Sequence, residues 1–329
     1  MSTRKLSLLL FFSCIICLFL ACSVGSTPMN FSRVLAALVW ESSTADSIVI
    51  WQIRLPRAIS ALLVGMALGA SGAALQGLLR NPLAEPGVLG VTASASLSAT
   101  FSLYYGLITT SPFLLPIYSI IGALVATGLL VIAATRVRSV VTLILIGVGL
   151  SSFSASLMSL MLNLAPNPFS LADMINWLLG SVANRSFDDI LIITPFMLTG
   201  FLILFFSKRG LSVLTLGEEA AAGIGLNLYR LRIAIILGTG LVTGASVALA
   251  GAIGFIGIVA PHLMRPLVHH NPSKSIVPSA LLGGIILIIA DIIIRLLPTS
   301  SEIKLGVIAA IIGAPAFIWI AMKRRLTHD

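Results

Sequence analysis

Long apolar runs separated by short polar or basic turns constrain this chain more than any other feature. They fall at 6–24, 57–79, 93–108, 113–134, 140–164, 190–206, 231–250, 276–297 and 305–322. About 20 apolar residues in a helix cross a hydrocarbon core of roughly 30 Å. Within that core each segment must satisfy its own backbone N–H and C=O groups, so the runs are predicted to be helices. Charged residues make up 9% of the chain, against about a quarter in soluble domains, which excludes a soluble globular fold. A further Gly/Pro-containing segment, Gly251 to Met264, is ambiguous by length.

Basic residues settle the count at ten spans. Arg4 and Lys5 precede the first run, and Lys323, Arg324 and Arg325 follow the last. Cations favour the cytoplasmic side, so both termini are expected there, which requires an even number of crossings. Arg80, Arg136, Arg138, Lys208, Arg209, Arg230, Arg232, Arg265 and Lys274 then fall inside as well, and Arg33, Arg54, Arg57, Arg185, Arg295 and Lys304 outside. The net charge of +9 thus reflects orientation and gives no ground for nucleic-acid binding. The expected architecture is one all-α transmembrane domain over 1–329. It has ten helices, a cytoplasmic segment at 208–230, outer loops at 25–56 and 165–189, and one helix interrupted near 251–264.

Cys14, Cys17 and Cys22 all lie in the first run and have neither disulfide nor metal-ligand spacing. Cys22 after Leu18-Phe19-Leu20-Ala21 loosely suggests a lipoprotein cleavage site, but a retained first helix is the preferred reading. Small residues recur every four positions at Ala61, Gly65, Gly69, Ala73 and Gly77, and again at Gly240, Gly244 and Ala248. Such ribbons let helix backbones approach closely. Gly147, Ser151, Ala155 and Ser159 form a third ribbon, joined by Ser152, Ser154 and Asn163. This helix either packs within the bundle or lines a polar path between subunits, with Ser151, Ser152, Ser154 and Asn163 as pathway candidates.

The segment Arg80-Asn81-Pro82-Leu83-Ala84-Glu85-Pro86-Gly87-Val88-Leu89-Gly90 is a tightly specified turn between two apolar runs. With Gly72-Ala73-Ala74-Leu75-Gln76-Gly77 ahead of it, it closely resembles the signature of FecCD-type permeases, the membrane subunits of ATP-binding-cassette importers for iron-siderophores, haem and vitamin B12. The run from Ala248 to His262, with Gly254, Gly257 and Pro261, is similar to a second family element. Trp177 to Ser181, Ala290-Asp291-Ile292 and Ile312 to Trp319, including Pro315, continue the likeness in order. It covers nearly the whole chain from about Phe31.

The resemblance implies a type II importer permease in the inner membrane. It also implies partners: an ATPase subunit that uses ATP and magnesium, a substrate-binding protein outside, and a second permease copy, identical or related. Arg54, Arg57 and Arg295 resemble the outer arginines that dock the binding protein. Asp291 lies four residues before Arg295, so an internal ion pair is the competing reading. Gly217, Glu218, Glu219, Ala220, Ala221 and Gly225 resemble the coupling helix that seats on the ATPase. The sequence contains no G-x-x-x-x-G-K-[ST], so no phosphate loop of that kind is expected here. Neither is a catalytic site, a metal or a resident cofactor expected. An ion-coupled secondary transporter would call for ionisable groups near the midplane, whereas most carboxylates here lie in predicted loops.

Overall fold

The computed structural model describes residues 2–25, 29–39, 44–137, 139–298 and 303–325, with side chains as far as 315. Arg138, counted above among the inner cations, lies outside the described residues, as do the side chains of Lys323, Arg324 and Arg325. Every regular element among the described residues is helical. In order these are α1 (Thr3–Ser23), α2 (Phe31–Val39), α3 (Ala45–Ile48), a π-helical turn (Val49–Arg54), α4 (Leu55–Leu79), α5 (Val91–Tyr104), α6 (Leu114–Arg136) and α7 (Val140–Asn163). They continue as α8 (Pro168–Leu178), α9 (Phe187–Leu214), α10 (Glu218–Gly223), α11 (Leu228–Ala250), α12 (Ile256–Met264), α13 (Pro272–Leu296) and α14 (Leu305–Arg325).

Among the described residues, seven helical runs are long and apolar enough to cross a membrane: α1, Ala45–Leu79, α6, α7, α9, α11 and α13. The other three expected spans are shorter or less completely described. α5 has 14 residues and α12 has 9, while the described apolar part of α14 is Leu305–Pro315. The chain leaves the helix at Gly251 (φ 72°) and re-enters it at Ile256, after Phe255 in the left-handed region. The expected interruption is therefore present.

α4 and α11 form the centre of the bundle, each 78% buried across its apolar window, whereas α1 and α7 lie at the periphery at 22% and 17%. The small-residue ribbons explain the inner packing. A Cβ at Gly65 would stand 2.2 Å from the Gly283 carbonyl oxygen, and one at Gly69 would stand 2.1 Å from that of Ser279, so α4 meets α13 backbone to backbone. Gly240 and Gly244 admit Thr127 and Ala123 of α6 in the same way. The third ribbon divides: Gly147 packs on Val88 and Leu89, while Ala155 and Ser159 are exposed.

Local signals set the helix boundaries. Asn167 caps α8, Ser186 and Asp189 form a capping box at α9, and Asn227 and Asn271 cap α11 and α13. Pro56 stands in the first turn of α4, and the helical path continues back from it through the π turn to Ala45. Pro56 has no N–H to give to the turn before it, and the backbone there is widened to the π form. The loops 25–56 and 165–189 hold structure that hydropathy did not reveal, namely α2 and α3 in the first and α8 in the second.

Candidate functional site

The docking and coupling candidates cluster at the two ends of the bundle. At one end the C-terminus of α1 meets the start of α4 and the end of α13. Arg57 Nε donates to Asp291 Oδ1 at 2.9 Å, and Arg295 Nε lies 3.1 Å from Asp291 Oδ2. Arg295 Nη1 also donates to the carbonyls of Ala21 and Val24, at 2.8 and 2.9 Å. Arg54 Nη1 reaches those of Cys22 and Ser23, at 2.8 and 3.2 Å. Two guanidinium groups thus satisfy the last carbonyls of α1, where positive charge also opposes the helix dipole. The structure brings the three expected docking arginines together, but turns them inward. Asp291 is 1% exposed, and Arg57 and Arg295 are 14% and 10% exposed at the side chain. The internal pairing weighed from the i, i+4 spacing is present, and Arg57 joins it from another helix. Arg33 presents an exposed guanidinium at this end, paired with both carboxylate oxygens of Asp46.

At the opposite end, Arg4 of α1, Lys208 and Arg209 of α9 and Lys274 of α13 line one surface recess, so cations that charge counting placed together are neighbours. α10 projects here. Gly217 precedes it with φ 109°, a conformation open to glycine and strained for other residues. Ala221 is fully buried against the chain's own helices. Glu218 pairs with Arg232 of α11 at 2.8 Å. Glu219, Ala220, Ala222, Gly223 and Gly225 face outward, beside Leu216 and Ile224 at 64% and 65% exposure. The expected coupling residues therefore separate into the buried Ala221, the half-exposed Glu218 tied to α11 by its ion pair, and an outer set. Sequence spacing had treated them alike.

The loop 80–90 lies beside this end and runs back into the bundle. Asn81 Oδ1 accepts from the Leu83 N–H at 3.0 Å, and Pro86–Leu89 form one 3₁₀ turn with Pro86 buried. Pro82 lies inside the Asn81 turn. Gly257 passes close to Pro86 and to Gly72, Pro261 is buried within α12, and Gly254 is exposed with open space around it. Pro315 falls inside α14.

Of the pathway candidates on α7, Ser154 is buried against Ser94 at 3.0 Å, and Ser151 donates to the Gly87 carbonyl at 3.1 Å. Ser152 and Asn163 are exposed, as is most of that helix. Next to it lies an open groove that the sequence did not announce, lined by Phe101, Tyr104, Tyr105, Tyr118, Leu160 and Met161. Its aromatic residues come from α5, its C-cap Tyr105 and α6, and no single-helix periodicity could have joined them. No cluster of three or more His, Cys, Asp or Glu occurs among the described residues.

The profile of the FecCD transport family matches residues 13–323. The chain belongs to that family. It is 38% identical over 282 residues to the uncharacterised ABC transporter permease YvrB of Bacillus subtilis, covering 84% of this chain and 79% of that protein. It is 37% identical over 290 residues to the vitamin B12 import permease BtuC of Vibrio cholerae, covering 87% and 86%. A solved inward-facing structure assigned to the metal-chelate type of ABC transporter superposes with a TM-score of 0.84 at 30% identity, covering 98% of this chain and all of that one. This FecCD-family chain is a multi-pass membrane protein and a transport permease.

Proposed function

We propose that this chain is the membrane subunit of an ATP-driven importer that carries a ferric siderophore or related metal chelate across the inner membrane. One observation carries the reading beyond family membership. α10 is a short helix seated by the buried Ala221 and by the Glu218–Arg232 ion pair, with an exposed face of Glu219, small residues and the flanking Leu216 and Ile224 that a partner could cover. We assign this face to a separate ATPase. On this reading ten helices cross the membrane, with both termini and α10 in the cytoplasm, and a binding protein delivers substrate at the Arg54/Arg57/Arg295 end. The exposed side of α7, with Ser152 and Asn163, faces the pathway and a second permease copy. The inward-turned arginines would hold the docking platform in shape, and nearby exposed groups such as Arg33 would meet the binding protein.

The BtuC likeness supports cobalamin as the alternative cargo. Mass spectrometry of the ligand retained by the cognate binding protein distinguishes the two. A ferric chelate supports the first reading and a corrinoid replaces it. Uptake into proteoliposomes that requires the ATPase and ATP supports the importer. Uptake driven by an ion gradient alone overturns it.

A further inference from the structure

We infer that the recess between α1, α9 and α13 binds an anionic phospholipid of the cytoplasmic leaflet, with the lipid phosphate among four cations and an acyl chain on the apolar wall beneath them. The choice of leaflet rests on the orientation proposed above; the binding itself does not.

The cations come from three helices. Arg4 belongs to α1, Lys208 and Arg209 to the last part of α9, and Lys274 to α13. No Asp or Glu lines the recess among the described residues, and none of the four cations forms an ion pair with a described residue. Helix packing holds these like charges near one another, because Leu6, Leu10 and Cys14 seat α1 on Leu281 and Ile285 of α13. Arg4 and Lys274 stand in the first turns of α1 and α13, where the helix dipole disfavours a cation. An anion held here relieves both the mutual repulsion and the clash with the dipoles.

The shape of the recess favours a lipid over a free anion. Its volume is about 650 Å³, within the roughly 300–1,000 Å³ of sites that enclose whole small molecules. Its wall includes the exposed Leu8 and Val277. Phe12 and Ile15 continue the face of Leu8 along α1 as an exposed apolar strip. Lys208 turns its ammonium back over the exposed Phe205 ring, 3.5 Å from the centroid, so this charge lies at the level of apolar side chains. Cations at the rim and an apolar strip below them match a phosphate diester joined to its fatty chains. A soluble acidic peptide would match the charges and leave the strip uncovered.

Native mass spectrometry of the full chain in a non-ionic detergent, titrated with dioleoyl phosphatidylglycerol or dioleoyl phosphatidylcholine, tests the site without an ATPase. One phosphatidylglycerol is expected to be retained more tightly than phosphatidylcholine, whose net charge is zero. Arg209→Gln and Lys274→Gln are each expected to weaken its binding about fivefold, the share of one cation near an anionic headgroup. Arg136→Gln removes the same charge from the end of α6 and is expected to leave binding unchanged. Glycerophosphoglycerol, the headgroup without its chains, is expected not to compete even in large excess. An equal loss in Arg136→Gln would mark a diffuse response to net charge and overturn the site, as would equal retention of phosphatidylcholine. Competition by glycerophosphoglycerol at the lipid's own concentration would make the ligand a soluble anion and overturn the lipid. Arg209 and Lys274 lie on different helices, so either variant decides if the other does not fold. Detergent exposes both ends of the bundle alike, so failure here leaves the orientation and the importer reading standing. An inverted orientation would move the lipid to the other leaflet without removing it.

Discussion

Asp291 is the residue on which the most charge depends. It faces two guanidinium groups at 1% exposure. Removing one partner of a buried ion pair costs about 3–5 kcal/mol, because the remaining charge stays desolvated. Asp291→Asn is therefore expected to lower the thermal midpoint in nanodiscs by several degrees, and an unchanged midpoint would refute a structural role for the network. Charge reversals at Arg57 or Arg295 would damage the same network, so a loss of binding-protein affinity in those variants needs a melting control. Sequence reasoning found these residues and the Asp291–Arg295 pair because i, i+4 spacing is visible along one helix. It could not see Arg57 crossing from α4, or Arg54 and Arg295 reaching the carbonyls of α1, because those contacts join residues far apart in the chain.

Among the elements, α4 and α13 show what the small-residue ribbon accomplishes. Gly65→Ala would place a methyl 2.2 Å from a backbone oxygen. The helices must then separate, at an expected cost of about 1–3 kcal/mol or more. Gly128→Ala on α6, with nothing within 4 Å, is expected to leave the melting midpoint unchanged. Equal effects of the two changes would show that the close approach is unimportant. α10 allows a similar contrast. Ala222→Trp adds bulk on the exposed face and is expected to leave the fold intact while reducing copurified ATPase. Ala221→Trp adds it on the buried face and is expected to lower the melting midpoint itself. If Ala222→Trp retains full ATPase, the outer face of α10 is not the contact surface. The sequence marked α10 through its glycines and carboxylates. Which alanine faces inward depended on how α9 and α11 enclose it.

For the whole molecule, most of the long apolar runs were legible to within about four residues at their ends, because spans are set by local hydropathy, but α9 continues to Leu214, past the 190–206 run, because Lys208 and Arg209 end the apolar run without ending the helix. The short helices α2 and α8 escaped notice because a search for spans of about 20 apolar residues passes over helices of 9 and 11 residues. The expected orientation is tested by single cysteines on a cysteine-free background. An impermeant maleimide is expected to label position 169 at the start of α8 in intact cells, and position 219 only after permeabilisation. Labelling of 219 in intact cells would invert the assignment.

The capping of α1 by arginines from elsewhere also orders events during synthesis. Arg54 follows within 32 residues of Cys22, but Arg295 lies 274 residues beyond Ala21. At about 5–20 residues per second, Arg295 emerges on the order of 14–55 s later. Until then the first helix holds one of its two terminal clasps, and the nascent chain waits on its own far end to close the bundle.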